Sequence, residues 1–440
     1  MAMVTDSATP HTMATWHPHL WHPFTQVASA EPPPRVRRAQ GALLQLEDGR
    51  ELIDAISSWW VTLHGHAEPS LAAAVAQQAL ELEQVIFANF SHAPAERLAD
   101  ALALRTGLDR LFFSDNGSTA VEVALKIAWQ WWRNQGDSRR QQLIAFDGAY
   151  HGDTFGAMAV GERSSFSAPF EPLLFAVARA PWPSSWWGDD AIEQKEAAAL
   201  RRLEQLLEQP TAAVILEPML QGAGGMAMVR PSFLRGVQER VRAAGALLIA
   251  DEVMTGFGRT GELFACRHAN LQPDLMALSK GLTGGLLPMG VTMASERLFQ
   301  GFIGDGDGGT RPAPTLFHGH SFTANPLGCA AANASLELLE ARRERFEGFE
   351  QRHRPHLEHL ARHPGVRRPR LLGSVAAFEL AVEQPGYFNP AGRALQRRVL
   401  EQGVFLRPLG QVVYLLPPLC LSDGQLQRCY AAIGEALDGL

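Results

Sequence analysis

Two stretches decide how this chain reads: Ala246-Leu-Leu-Ile-Ala-Asp-Glu-Val253 and Asp274-Leu-Met-Ala-Leu-Ser-Lys-Gly-Leu-Thr-Gly-Gly285. Each is a short apolar run that ends on one ionisable residue, Asp251 in the first and Lys280 in the second. Runs this short, bounded by polar and glycine residues, read as buried strands. Their lack of alternation implies a parallel sheet covered on both faces. The same rhythm extends outward through Leu111-Phe-Phe, Leu143-Ile-Ala-Phe, Ala212-Ala-Val-Ile-Leu and Gly290-Val-Thr-Met-Ala, with amphipathic helices between the runs. The expected fold class is α/β, with ligands at the carboxyl ends of the strands.

The flanks differ. Residues 1 to 15 are rich in Ser, Thr and Ala, and a Pro-rich link, Glu31-Pro-Pro-Pro-Arg, follows. Gly41 to Asp54 predicts a hairpin turning at Glu47-Asp-Gly-Arg50. Pro69 to Gln84, Thr119 to Trp132 and Pro326 to Arg345 predict helices, and strands and helices mix from Val366 onward. The expected division is an amino-terminal segment (1–65) of a smaller domain, a large domain (66–330), and the carboxyl-terminal part of the smaller domain (331–440). The 440 residues are 46% hydrophobic and 19% charged, with a formal net charge of −7. There is no basic stripe for nucleic acid and no polybasic anchor for membrane. No apolar run is long enough to span a bilayer, and Met1 to Pro10 lack the features of a signal peptide. Cys266, Cys329, Cys420 and Cys429 form no CxxC pair, which suits a reduced, cytoplasmic setting.

A lysine that follows a strand is usually a solvated surface residue. Here Gly281, Gly284 and Gly285 let backbone approach a ligand closely, and a desolvated lysine is a ready Schiff-base former. An acid ending a strand can simply cap the next turn. Paired with Lys280 on one sheet edge, Asp251 suits pyridoxal phosphate: the amine meets the aldehyde and the carboxylate keeps the pyridine nitrogen protonated. Val253 would rest against one ring face. Ser114-Asp-Asn-Gly-Ser118 opens a helix whose free N–H groups and dipole form an anion site, although the same string is also a good plain N-cap. Tyr150 could stack on the opposite ring face or be a core aromatic, and the neighbouring His151 has no evident partner. His17, His19, His22, His64 and His66 lack the pattern of a metal site.

Asn116-Gly-Ser, Ala149-Tyr-His-Gly-Asp153, Glu217-Pro, Ala250-Asp-Glu-Val-Met-Thr-Gly-Phe-Gly-Arg-Thr-Gly261, Ser279-Lys-Gly and Asn325-Pro together resemble the class III pyridoxal-phosphate-dependent aminotransferases, of the aspartate-aminotransferase fold type I. The resemblance implies a large domain with a mainly parallel sheet covered by helices, plus a smaller α+β domain from both termini. It implies that Lys280 carries pyridoxal 5′-phosphate, Asp251 pairs with its ring nitrogen, Gly117 and Ser118 hold its phosphate, and Tyr150 stacks on it. His320 and Ser321 would reach the phosphate in the other subunit, so the implied assembly is a homodimer with sites at its interface.

Leu20-Trp-His-Pro-Phe-Thr25, Ser57-Ser-Trp-Trp60, His64-Gly-His66, Tyr150-His-Gly-Asp-Thr-Phe-Gly-Ala157, Gln221-Gly-Ala-Gly-Gly225, Phe317-His-Gly-His-Ser-Phe322 and Leu406-Arg-Pro-Leu-Gly410 narrow the likeness. They are similar to a biotin-synthesis branch, in which S-adenosylmethionine gives an amino group to 8-amino-7-oxononanoate to form 7,8-diaminononanoate. That likeness puts Phe24, Trp59, Trp60, Tyr150, Lys280, Gly319 and Arg407 around the substrates, with Arg407 on the substrate carboxylate. Phe24 stands where some relatives carry tyrosine, and His320 where a proline is common. Ornithine and 4-aminobutyrate relatives usually place glutamate where this chain has Ala223, which argues against those substrates. Two other readings stay open: an ω-aminotransferase for another amine or polyamine, and a cofactor-binding protein without catalysis. The residues also leave the donor open between S-adenosylmethionine and lysine.

Overall fold

The computed structural model describes residues 16–304 and 314–440, so the expectations for residues 1 to 15 lie outside the described residues. All six apolar runs form strands of one seven-stranded sheet. These are β1 (Arg110–Ser114), β2 (Gln142–Phe146), β4 (Thr211–Leu216), β5 (Leu247–Asp251), β6 (Leu275–Leu278) and β7 (Gly290–Ala294). The remaining strand, β3 (Ala178–Ala180), carries only three residues, too few for a periodic signal. The spatial order is β1-β7-β6-β5-β4-β2-β3. β6, β5, β4, β2 and β3 pair in parallel, as expected. β7 is the correction: it runs antiparallel to both β6 and β1. The chain between Lys280 and Gly290 turns back without a crossover helix, which reverses the strand.

Residues on β4, β5, β6 and β7 are buried along their whole length, because helices cover both faces. One of them, α1 (Gly117–Asn134), starts with a capping box between Asn116 and Thr119 and buries Ala120, Val121, Ala124, Leu125, Ala128 and Trp131 among others. It begins two residues before the predicted Thr119. The helix predicted to Gln84 ends at Glu81. That predicted over Pro326 to Arg345 stops at Ala341, and short helices follow at Arg343–Glu347 and Phe349–Leu360.

The predicted hairpin forms from Leu43–Leu46 and Glu51–Asp54, paired antiparallel. A strand the sequence did not single out, Val36–Gln40, joins its outer edge. On the inner edge, Val404–Phe405 pairs in parallel with Glu51–Asp54, with Asp54 opposite Phe405. The two ends of the chain therefore share a four-stranded sheet. Val366–Leu372, Val375–Leu380 and Val412–Leu415 form a separate antiparallel sheet.

Candidate active site

β5 and β6 are neighbours in parallel, with Asp251 opposite Ala277, so Asp251 and Lys280 leave the same sheet edge. Both line a cavity of about 690 Å³, together with Trp60, Gly117, Ser118, Tyr150, Val253 and Glu217. Seven of the residues singled out from the sequence thus converge from five separate segments of the chain.

Lys280 is open to the cavity but walled by protein, and burial lowers its pKa against the raising effect of Asp251 and Glu217. Its Nζ lies 4.7 Å from the centre of the Trp60 ring. No carboxylate among the described residues forms an ion pair with it. Its backbone is left-handed, at φ +36°, a conformation that a side chain of this size occupies only when its surroundings hold it there. The amine is therefore aimed, desolvated and available.

Asp251 is 3% exposed. One carboxylate oxygen accepts the Val253 N–H at 3.0 Å. The other accepts Nδ1–H of His151 at 2.6 Å. His151 therefore has a partner after all, and that partner is the acid named for the ring nitrogen. Its outer Nε2 is buried without a hydrogen bond.

Asn116 caps the Thr119 N–H, and the N–H groups of Gly117 and Ser118 have no hydrogen-bond partner among the described residues. A Cβ on Gly117 would come 2.5 Å from Val253 Cγ1, and one on Gly152 would come 2.3 Å from Ser118 Oγ. Both positions demand glycine, and the backbone is thereby exposed to the cavity. Two free N–H groups at the start of an 18-residue helix suit a phosphate. An unpaired amine and a buried acid suit an aldehyde and a pyridinium nitrogen. The donor set fits pyridoxal phosphate.

Sequence reasoning quoted Glu217 only as part of a motif and gave it no role. It directly follows the last residue of β4, much as Asp251 closes β5, so the same strand-end acid signal could have found it. Its carboxylate accepts N–H groups from Tyr150 at 3.1 Å and Gly222 at 2.9 Å. Burial pushes its pKa up to about 7, with His151 opposing and Asp251 adding to the rise.

Three predicted substrate residues gather beside the cavity rather than on its wall. The Arg407 guanidinium lies 4.8 Å over the Trp59 ring, and Phe24 packs edge-on to Trp59 at 5.5 Å. Gly319, His320 and Ser321 also lie outside the wall. Their segment runs along α1, with the Thr315 carbonyl accepting from Gln130 and Lys126 meeting His318. It ends with His320 Nδ1 2.9 Å from Asp115, close enough for an ion pair but misaligned for a hydrogen bond.

The model of the class-III aminotransferases matches residues 25–437. The chain is 58% identical to the adenosylmethionine-8-amino-7-oxononanoate aminotransferase of Synechococcus elongatus, over 96% of this chain and 99% of that one. It is 38% identical to the enzyme of the same name from Geobacter sulfurreducens, over 94% and 95%. Among solved structures, the enzyme of that name from Methanocaldococcus jannaschii superposes with a TM-score of 0.88 at 32% identity, covering 96% of this chain and 97% of that one. An amine transaminase from an uncultivated Pseudomonas species, in a PLP-bound form, gives 0.89 at 28% identity over 96% and 99%. The chain belongs to the class-III aminotransferases, which depend on pyridoxal phosphate.

Proposed function

We propose that this enzyme transfers the amino group of S-adenosylmethionine to 8-amino-7-oxononanoate, giving 7,8-diaminononanoate for biotin synthesis. The observation that carries the reading is the 58% identity with the Synechococcus elongatus relative over nearly its whole length. Arg407 stacked on Trp59 beside Phe24 agrees with it: a carboxylate at the end of an apolar chain calls for one fixed guanidinium among aromatic walls.

Pyridoxal phosphate, when bound, supplies an aldehyde for amines and a ring that withdraws electrons. Lys280 Nζ would hold the cofactor aldehyde, and its amine would serve as the general base and acid that moves a proton. The lowered pKa of its amine supports that role. Asp251, fixed by His151, would pair with the ring nitrogen and stabilise its proton. Gly117 and Ser118 would hold the phosphate. Tyr150 and Val253 would flank the ring, and Trp60 and Arg407 would seat the substrate.

The assembly we propose is a homodimer in which Gly319, His320 and Ser321 serve the partner's site. Phe317 and Phe322 flank them at 81% and 64% exposure, an apolar surface that suits burial against a second copy. The proposed division into a smaller domain (1–65 with 331–440) and a large domain (66–330) is supported by the four-stranded sheet that both ends of the chain share. No helix of the described residues is long and apolar enough to cross a membrane, and a cytoplasmic location is supported by four unpaired cysteines.

A single-turnover assay tests the donor: S-adenosylmethionine should bleach the visible absorption of the loaded enzyme, and lysine should not. The reverse result would overturn the donor assignment. The second reading is a broad amine transaminase, since a structural neighbour carries that description. Arg407→Ala should raise KM for 8-amino-7-oxononanoate by about tenfold or more; an unchanged KM would favour the broad reading.

A further inference from the structure

We propose that Asp54, a buried carboxylate outside the cavity, is a positioning residue for substrate binding: it holds the strained turn that sends Trp59 and Trp60 to their separate posts. This rests on the functional reading above. Ser57, Ser58 and Trp60 all have left-handed backbones, at φ +53°, +59° and +67°. Ser58 also has ψ −96° and Trp59 lies at φ −123°, ψ +57°, so the stretch is no regular helix. Three such residues in four are disfavoured without glycine, and they persist only where surrounding bonds hold them.

Asp54 supplies those bonds. It is fully buried. One oxygen accepts the Ile56 N–H at 3.2 Å, and the other accepts the Ser58 N–H at 2.6 Å. His66 Nε2–H donates to that second oxygen at 2.8 Å, orienting the carboxylate. Further bonds finish the turn. Ser57 Oγ donates to the Leu416 carbonyl at 2.8 Å, and Trp60 Nε1–H donates to the Tyr414 hydroxyl at 3.0 Å. Among the described residues, Asp54 is the acceptor of the strained Ser58 N–H, while the Ser58 hydroxyl accepts from Thr62 Oγ1 at 3.4 Å.

The turn places two adjacent tryptophans in different surroundings. Trp60 is buried, with its ring facing the Lys280 amine. Trp59 is 41% exposed and lies under Arg407. Asp54 also pairs in register with Phe405, two residues before Arg407. One strand pair thus sets both the tryptophan turn and the arginine. Lys280 is held by β6 and its own loop, so loosening the turn should harm binding more than chemistry.

The test uses full-length holoenzyme. D54N keeps the shape but replaces a charged acceptor with a neutral one. KM for 8-amino-7-oxononanoate should rise by about tenfold, with kcat and bound cofactor little changed. Adding S58G should restore much of the KM, because glycine adopts positive φ without the carboxylate. A merely stabilising Asp54 would instead lower the melting temperature with KM intact, and S58G would restore nothing; either result overturns the proposal. Should D54N not accumulate as folded protein, H66Q carries the same test with a smaller KM rise, and an unchanged KM overturns it. If the wild-type enzyme does not use this acceptor, the functional assignment fails. The same comparison is then read on the amine it does use, since Trp60 faces Lys280 whichever amine enters.

Discussion

Replacing Glu217 by Gln should change how stability responds to pH. In the folded protein, burial raises the Glu217 carboxyl from 4.5 to about 7, while the unfolded chain keeps the ordinary value. Between those values the folded state holds a proton that the unfolded state has released. Stability from this group is therefore greatest below about 4.5, falls as pH rises, and levels off above about 7. A rise of that size corresponds to about 3 kcal/mol. Glutamine has no proton to lose, so the variant lacks this slope. It can still accept from Tyr150, but it turns an amide NH₂ toward the Gly222 N–H, a pH-independent loss of about 1–3 kcal/mol. At roughly 2.1 cal/mol/K of unfolding entropy per residue, 440 residues convert 3 kcal/mol into about 3 °C. Cofactor-free wild type and E217Q should be melted at one scan rate at pH 5 and pH 8. The wild-type advantage should shrink by about 3 °C at the higher pH. Other titrating groups are common to both proteins and cancel. An advantage equal at the two pH values would refute the reasoning, and with it the view that this acid is protonated in the fold.

Other consequences can be checked separately. Lys280→Ala should lower transamination by at least about 10³-fold in a coupled assay while the phosphate cradle still retains pyridoxal phosphate in equilibrium dialysis. Gly117→Ala drives a methyl to 2.5 Å from Val253 Cγ1; overpacking of about 1–3 kcal/mol should weaken cofactor affinity by about tenfold or more in an absorbance titration. His353 is buried against the Tyr430 hydroxyl, and burial drives its pKa down to about 3. The unfolded chain protonates there below about 6.5 and the folded protein does not, so stability is full above that pH and falls as pH drops from 6.5 toward 3. His353→Gln should flatten the acid limb of a pH–melting curve.

Much of the fold was legible because burial on both faces leaves a blunt mark. The six apolar runs became six strands since little else accommodates unbroken Val, Ile, Leu and Ala of that length. β3 and Val36–Gln40 escaped because one is too short for a pattern and the other is largely exposed. β7 was found, but its direction was not, since a strand's residues do not record which way its neighbours run. At the site, Asp251, Lys280, Gly117 and Ser118 stood out because each ends a strand or opens a helix. Glu217 carried the same strand-end signal and was passed over as motif. His151 carried none: its partner lies 100 residues away.

The sequence by itself determined the chemistry, for an acid and a lysine at two strand ends need only local pattern and the rule that parallel sheets bind ligands at their carboxyl edge. Tertiary structure alone decided what surrounds that chemistry. It joined Asp54 to Phe405 in one strand pair and so laid Arg407 over Trp59. It placed Trp60 over Lys280 and handed Asp251 its histidine. The physical reason is the range of the forces involved. Periodicity and capping act within a few residues, whereas hydrogen bonds, ring contacts and desolvation act on whatever packing brings within a few ångströms, regardless of distance along the chain.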